Sequence, residues 1–356
     1  MKKIGIASII VIFLTALIIT IQYKKETETT KAPVSVKRNG VAIIMTGAAA
    51  RIPQEAALLE ELDKMGQLKN VVFISGVSSG ALNAVMLNGI LDKKITWWDY
   101  KKILYNIKNS DVFTFDDVHF PFDTSPARNL YTKIVEKKLG YHSIGDLPVT
   151  TSISIATIKP LQLKNVAYRM CSRKINEETD TTLNLVDVLM ASTAFPFVFP
   201  TVRIPNATTI PDVEYIDGGV GDDQVPFEAL FQFEKQRGIG VEKVFIISRK
   251  EDSRTAISEE LKALGIDDDG VFDDFDIPND PSSKSGIIKR LQAYTTKAPE
   301  LVPNTYVWIP DFKEDFLMFN FASMKEQYEL TTRWARKNKP KTISEFLAPD
   351  TTDIKK

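Results

Sequence analysis

Short apolar runs rich in β-branched residues recur along the chain, a pattern typical of strands buried inside a sheet. The runs are Val41–Met45, Val71–Ile74, Thr151–Thr157, Asn165–Met170, Glu214–Ile216, Val244–Ser248 and Thr305–Ile309. The first two runs are each followed by a stretch of helical character, so the chain starts β-α-β-α with short connections. That order predicts a parallel sheet covered by helices on both faces. We therefore expect one three-layer α/β/α domain with a mainly parallel central sheet over residues 41–350.

The predicted helices follow from the spacing of apolar residues and from their end signals. Ala57, Leu58, Leu62 and Met65 recur at helical spacing, with Pro53 suited to the first turn and Gly66 to the end. Further helices are predicted over Ala81–Asn88, over Leu185–Ala191, from Pro226 onward and over Phe321–Lys337. The segment from Thr96 to Gly140 is helical and rich in aromatic residues, which we interpret as core residues; a lid or a lipid-touching surface is the alternative.

The N-terminus carries an uncharged apolar run, Ile4–Ile21, which follows two lysines. As a helix, these eighteen residues would rise about 27 Å, which is just enough for the hydrocarbon core of a bilayer. The run is longer than the usual apolar part of a signal peptide, and no A-x-A cleavage site follows it. We therefore predict a retained membrane anchor over residues 1–23 and a polar tether over 24–40. Secretion after signal cleavage is the alternative.

Composition narrows the possible partners and chemistry. The chain has 45 basic and 46 acidic residues, a balance that argues against nucleic acid as a partner. Cys171 is the only cysteine, so neither an intramolecular disulfide nor a cysteine-based metal site is possible. The acidic residues between Asp267 and Asp276 lack the alternating ligands and closing glutamate of an EF-hand, and we predict a solvated loop there.

The strand at Val71–Ile74 runs directly into a G-x-S-x-G pattern, residues 76–80, and then into a predicted helix. Strand, sharp turn and helix form the context of a nucleophile elbow, which exposes its serine at the tip of a strand. Gly76 and Gly80 would flank Ser78 because the turn leaves no room for Cβ atoms. A small-residue turn without chemistry is the plain alternative.

A serine nucleophile needs a base, which is usually a histidine held by a carboxylate. The only histidines are His119 and His142, and neither adjoins a predicted strand end. The best-placed carboxylate is Asp217, which follows a short strand and precedes Gly218 and Gly219. An aspartate with an ordinary pKa is a weak base toward a hydroxyl, so it would have to act in a desolvated, hydrogen-bonded pair.

Four motifs in order resemble those of the patatin-like phospholipases, over about residues 41–226. They are a small-residue turn after the first strand, the G-x-S-x-G, the block STAFPFVFP at 192–200, and Asp-Gly-Gly at 217–219. The resemblance implies hydrolysis of acyl esters of membrane lipids by a Ser78–Asp217 dyad without metal or other cofactor. It also implies that the backbone N–H groups of Gly47, Ala48 and Ala49 hold the oxyanion, with Arg51 just behind.

Two departures from the family pattern matter. Alanines occupy positions 48 and 49, where the family usually has glycine, and Asp223-Gln224-Val225-Pro226 replaces the usual Asn-x-Pro. Alanine keeps the backbone donors in place only where φ stays negative, so a positive φ would strain the loop. We therefore expect a lipid acyl hydrolase that works through an acyl-enzyme. The alternatives are a catalytically silent, membrane-tethered scaffold, and an esterase or acyltransferase acting on another substrate.

Overall fold

We describe a computed structural model of the chain, which covers residues 37–114, 120–159, 164–220, 223–250, 257–266 and 284–348. Eight strands lie within these ranges. They are β1 (Val41–Met45), β2 (Val71–Val77), β3 (Thr150–Lys159), β4 (Lys164–Cys171), β5 (Ile216–Asp217), β6 (Lys243–Ile247), β7 (Thr305–Trp308) and β8 (Lys341–Thr342).

The strands form one sheet in the order β4-β3-β2-β1-β6-β7-β8, and β5 pairs with β3 off this path. The five central strands are parallel to one another, whereas β4, β5 and β8 pair antiparallel with their neighbours. The predicted α/β class with a mainly parallel sheet is therefore confirmed. Antiparallel strands at the edges make the whole sheet mixed.

Ten α-helices accompany the described strands. They are α1 (Ile52–Lys64), α2 (Ser79–Leu91), α3 (Trp97–Asn106), α4 (Ser125–Tyr131), α5 (Leu185–Ser192), α6 (Glu228–Arg237), α7 (Ile257–Ala263), α8 (Lys284–Lys297), α9 (Met324–Lys337) and α10 (Ile343–Leu347). A π-helical segment, Thr132–Lys138, continues from α4.

Alternation along β1 shows how both faces of the sheet are covered. Ala42 and Ile44 pack with residues of α6, α8 and α10, whereas Ile43 and Met45 pack with residues of α1 and α2 on the other face. Successive side chains of a strand point to opposite faces, so a strand covered on both sides reads as a continuous apolar run. This confirms the three-layer arrangement of helices around the sheet.

The aromatic-rich segment from Thr96 to Gly140 is mainly core where it is described, as predicted. Phe113 and Phe122 are buried and stack with ring centroids 5.1 Å apart. Trp98 is the exception, with 61% of its surface exposed. Phe115 and His119 lie outside the described residues, as does the acidic segment between 267 and 276.

The predicted membrane-anchored localisation is corrected. The longest α-helices of the described residues have 14 residues, and none is long and apolar enough to cross a bilayer. A span needs about 20 predominantly apolar residues, because the hydrocarbon core is about 30 Å thick. The run Ile4–Ile21, on which the prediction depended, lies outside the described residues together with the proposed tether up to residue 36.

Candidate active site

The register of the sheet brings the ends of three strands together. Val77, the last residue of β2, pairs with Ser154 of β3, and the next residue of β3, Ile155, pairs with Asp217 of β5. Ser78 follows Val77 directly, so Ser78 and Asp217 lie on adjacent rows of the same sheet edge. This edge is at the carboxyl ends of the parallel strands, where ligands bind in open α/β sheets.

Ser78 occupies a sharp turn between β2 and α2. Its φ of 55° and ψ of −129° are rare for any residue other than glycine. A Cβ on Gly76 would lie 2.3 Å from the Gly80 carbonyl oxygen, and a Cβ on Gly80 would lie 2.3 Å from the Thr46 carbonyl oxygen. Both contacts are impossible, so the glycines allow the turn to form tightly against the end of β1. The turn leaves the Ser78 side chain in the lining of a pocket.

The Asp217 carboxylate is buried next to the Ser78 hydroxyl. Burial raises the pKa of Asp217 from 3.8 to about 6, while hydrogen bonding from Ser78 and from the Gly219 N–H lowers it. The Gly219 N–H donates to Asp217 Oδ1 at 2.7 Å, and the Asp217 N–H donates to the Ala194 carbonyl at 2.9 Å. A carboxylate held in this way is a stronger base than an aspartate in water, because desolvation favours its protonated form.

A second serine fixes the backbone of the elbow. The Ser78 N–H donates to Ser192 Oγ at 2.9 Å, and the Ser192 hydroxyl donates to the Ser154 carbonyl at 2.7 Å. Ser192 ends α5 and belongs to the 192–200 block, so this block reaches the site through hydrogen bonds as well as apolar contact. The 192–200 block was identified from its resemblance to the family motif. Nothing in the sequence indicated that Ser192 would accept the hydrogen bond of the Ser78 N–H.

The loop after β1 carries the predicted oxyanion residues, and its conformation differs between the two alanines. Ala48 has a negative φ of −142°, whereas Ala49 has a positive φ of 45°. A Cβ on Gly47 would lie 3.1 Å from the Ser78 Cβ, so the loop passes close to the serine. The Ala48 N–H donates to Ser79 Oγ at 2.7 Å. The strain expected for alanine in this loop therefore falls on Ala49 alone.

The Arg51 side chain points away from Ser78. Its Nε donates to the Phe316 carbonyl at 2.8 Å, and its guanidinium pairs with Glu260 at 3.4 Å. Glu260 in turn accepts a hydrogen bond from the Met318 N–H at 2.7 Å. Arg51 thus joins the loop to α7 and to the segment before α9, and it lies outside the lining of the pocket at Ser78.

A buried hydrogen-bond network centred on Glu55 holds the start of the loop after β1. Glu55 on α1 accepts hydrogen bonds from Thr46 at 3.1 Å and from Asn83 on α2 at 2.9 Å, and Tyr100 donates to Asn83 at 2.6 Å. Burial raises the pKa of Glu55 to about 8, against the opposing effects of Asn83, Thr46 and the charge of Arg249. No pattern in the sequence pointed to Glu55, because its partners come from three separate segments.

Asp223, which follows the Asp-Gly-Gly motif, forms an ion pair with Arg169 in which the carboxylate is fully buried. Asp223 receives two hydrogen bonds of 2.9 Å from the Arg169 guanidinium and one of 2.6 Å from the Ser154 hydroxyl. Asp223 is buried, and Arg169 lies on the edge strand β4. Asp223 stands where the family usually has the asparagine of Asn-x-Pro, and its negative charge is therefore balanced by Arg169 of the same chain.

We use the name Ser78 pocket for the cavity that opens at the serine. Its wall is mostly apolar. Representative members from separate elements are Leu82, Leu104, Ala127, Met190, Phe199 and Phe319. Within the part of the chain that the structure describes, Asp217 is the one charged residue of this lining. The other polar groups of the described lining are uncharged hydroxyls, such as those of Ser79, Thr124 and Thr193.

Among the described residues, His142 is the one histidine, and it does not line the Ser78 pocket. His142 is exposed, and its main-chain N–H donates to Asp146. His119 lies outside the described residues.

A model of one protein family, described as patatin-like phospholipase, matches residues 43–231, just over half of the chain. No curated protein sequence matches the chain.

Among solved structures, VipD from Legionella pneumophila is similar at 10% identity and a TM-score of 0.39, covering 88% of this chain and 73% of VipD. Two structures of ExoU with SpcU, from Pseudomonas aeruginosa, are similar at 12% and 13% identity, with TM-scores of 0.34 and 0.33. They cover 75% and 85% of this chain, which spans only 60% and 52% of the ExoU chains.

The matched family region begins within β1 and ends within α6, so it contains the loop after β1, the elbow, the 192–200 block and Asp217. On this match, the chain belongs to the patatin-like phospholipase family.

Proposed function

We propose that this protein hydrolyses acyl esters of lipids through an acyl-enzyme on Ser78, with Asp217 as the base. One observation carries the proposal: Ser78 lies beside a buried carboxylate in a pocket whose described wall has no other charge. Family membership supports lipid acyl esters as the substrate class.

The reaction follows from these positions. Ser78 Oγ attacks the ester carbonyl carbon while its proton passes to the Asp217 carboxylate. The tetrahedral intermediate collapses, the ester C–O bond breaks, and the leaving alcohol takes the proton back from Asp217. Water then attacks the acyl-enzyme, again with Asp217 accepting a proton, and the carboxylic acid leaves as Ser78 recovers its hydrogen.

The Ser78 pocket supports binding of the acyl chain rather than the polar part of the lipid. Its lining is mostly apolar with few polar groups, which is the usual make-up of a site that binds an apolar ligand. Leu104 on α3, Leu130 on α4 and Met324 on α9 line it, so helices from three parts of the chain would surround the hydrocarbon. The leaving alcohol would then face the open side.

The test combines covalent labelling with product analysis. We expect a fluorophosphonate to label the wild-type protein, and Ser78→Ala to abolish labelling. Asp217→Asn should slow both labelling and hydrolysis of lysophospholipids, phospholipids and short-chain aryl esters by several orders of magnitude. Ser172→Ala, which removes a buried hydroxyl near the start of β3, is the matched control and should keep normal activity.

Three results would decide between this proposal and its alternatives. Free fatty acid released by the wild-type protein alone supports the hydrolase. Transfer of the acyl group to an added alcohol in preference to water would instead favour an acyltransferase. A folded wild-type protein that is neither labelled nor active on any of these esters would overturn the proposal and favour a silent scaffold.

A further inference from the structure

The residue after the proposed nucleophile has a hydroxyl that the mechanism above does not use. Ser79 is the first residue of α2, it is 4% exposed, and it lines the Ser78 pocket together with Ser78 and Asp217. Its Oγ accepts the Ala48 N–H at 2.7 Å. Among the described residues, none accepts a hydrogen bond from the Ser79 hydroxyl, so its proton remains available inside the pocket.

This contact changes which groups can face a developing oxyanion. The Ala48 N–H already has an acceptor in Ser79 Oγ, so it cannot also point directly at the substrate. The Ala49 N–H has no acceptor among the described residues, and Ala49 lines the pocket. The Ser79 N–H, at the start of a 13-residue helix, has no partner within that helix. The residue after a nucleophile supplies such a donor in other serine hydrolases.

We propose that the Ser79 hydroxyl donates a hydrogen bond to the oxyanion and relays the Ala48 N–H to it. This inference rests on the proposed function and adds a catalytic residue to the reaction. A hydroxyl that accepts one hydrogen bond donates a stronger one, because hydrogen bonds in a chain polarise each other. The relay therefore offers a side-chain donor where the loop carries alanine, and Ser79 supplies two donors, its N–H and its O–H.

The relay also fits the conformation of the loop. Ala48 has a negative φ, and its N–H donates to Ser79 Oγ rather than pointing into the pocket. Ala49 takes the positive φ and is the alanine that reaches the pocket lining. One N–H thus acts directly, and the other acts through a hydroxyl.

The experiment compares Ser79→Ala, Ser79→Thr and Ser79→Cys with the wild-type protein. Loss of one oxyanion donor lowers kcat strongly, and we expect Ser79→Ala to reduce it by about 100- to 1,000-fold with little change in KM. Ser79→Thr keeps a hydroxyl and should recover most of the rate. Ser79→Cys, a weaker donor, should fall between the alanine and threonine variants.

An inhibitor pair separates this role from support of the loop. A long-chain trifluoromethyl ketone forms an oxyanion on Ser78, whereas the matching methyl ketone stays a ground-state ligand. Across the variants, Ki for the trifluoromethyl ketone should rise in proportion to KM/kcat, and Ki for the methyl ketone should stay constant. Ser172→Ala, measured alongside, should change neither.

Three outcomes would overturn the inference. An active wild-type protein with an unchanged or faster Ser79→Ala variant would show that Ser79 only occupies the Ala48 N–H. Equal losses of affinity for both ketones would show that Ser79 only supports the loop. A wild-type protein that resists the fluorophosphonate and hydrolyses nothing would overturn the proposed function, and this inference with it.

Discussion

Asp217 lies in surroundings that oppose its ionisation, and the proposed chemistry requires the ionised form. Its pKa is raised to about 6 because burial outweighs the hydrogen bonds from Ser78 and the Gly219 N–H. We therefore expect kcat/KM to rise with pH through an apparent pKa near 6 and then to level off. A pH–rate profile on a short-chain ester tests this, and a limb near the ordinary value of 3.8 would contradict it.

The same residue should limit the stability of the fold. A carboxyl whose folded pKa is raised favours the folded state below its unfolded pKa, and this contribution is lost as pH rises through about 6. Asp217→Asn should therefore be more stable than the wild-type protein by about 1–3 kcal/mol at pH 8, although inactive. Urea unfolding at pH 8 and at pH 5 measures the difference.

Other titrating groups do not disturb the comparison of unfolding free energies between the wild-type protein and Asp217→Asn. Glu55, the other buried carboxyl of the site with a raised pKa, is present in both proteins, so its titration cancels. The gain from Asp217→Asn should shrink between pH 8 and pH 5, because protonation makes the wild-type carboxyl neutral as well. A gain independent of pH would mean that the amide merely packs better.

Ala48 and Ala49 offer a matched pair for testing loop strain. Ala49 has a φ of 45°, which costs an L-residue about 1–2 kcal/mol, whereas Ala48 at −142° is unstrained. Glycine at either position costs some conformational entropy, but only at Ala49 does it relieve strain. We expect Ala49→Gly to be more stable than Ala48→Gly by about 1–2 kcal/mol.

Thermal unfolding of the two variants, with ester hydrolysis measured in parallel, checks this prediction. We expect Ala49→Gly to keep the wild-type rate, because glycine can hold the same φ and the same N–H direction. A large gain in kcat would show instead that the natural loop is misaligned. Equal stabilities for the two variants would contradict the φ assigned to Ala49.

Single residues also show where sequence reasoning ends. The requirement for Gly76 and Gly80 could be read from the spacing, because the elbow demands it whatever lies around it. The hydrogen bonds of Ser79 with Ala48 and of Ser192 with Ser78 join residues 31 and 114 positions apart. No local pattern marks such a pair, because the fold alone brings the atoms together.

At the scale of elements, the Arg169–Asp223 ion pair fastens the edge strand β4 to the chain after Asp217. Both side chains are largely buried, and Ser154 completes the shell of the carboxylate. Breaking a buried pair by removing one partner costs about 3–5 kcal/mol, because the other charge stays buried and unpaired. We expect Asp223→Leu to cause a loss of this size.

A double-mutant cycle measures the coupling in this pair. Arg169→Met combined with Asp223→Leu should recover much of the stability lost by Asp223→Leu, because neither charge then remains. Urea unfolding of the two single variants and the double variant gives the coupling energy. Additive losses would show that the pair contributes nothing as a pair, and that Asp223 acts through Ser154 alone.

Elements differ in how far the sequence predicts them, and the reason is physical. The central strands are continuous apolar runs because both faces are covered, so β1 was predicted with its exact limits. The edge strand β8, Lys341–Thr342, has two residues and an exposed lysine, and no pattern marks it. The strand predicted at 214–216 lies at Ile216–Asp217, because pairing with β3 decides its limits.

At the scale of the whole molecule, the Ser78 pocket is the feature that no single segment contains. Its wall combines α3, α4, α5, the 192–200 block and the segment around Phe319 with the two strand ends at the site. Each of these segments buries apolar residues, as the sequence predicts. Residues that fill a core and residues that line a cavity have the same apolar composition, however. Only the arrangement of the helices decides whether the space between them is filled.

If the Ser78 pocket holds the acyl chain, a change in the volume of the pocket should change the preferred length of that chain. Ala127 on α4 is buried, lines the pocket, and is small enough for a larger side chain to project into the space. Its main-chain N–H donates to the Val112 carbonyl, a bond that a side-chain substitution leaves intact. Ala127→Leu should therefore shorten the space for the hydrocarbon while leaving Ser78 and Asp217 in place.

We expect Ala127→Leu to lower kcat/KM for palmitoyl esters by about tenfold or more relative to butyryl esters, because a few lost methylene contacts have an effect of this size. The matched control is Ala293→Leu on α8, which adds the same volume on the opposite face of the sheet. The control should change neither rate. A parallel fall for both chain lengths would indicate damage to the catalytic pair, and an unchanged preference would mean that the acyl chain lies elsewhere.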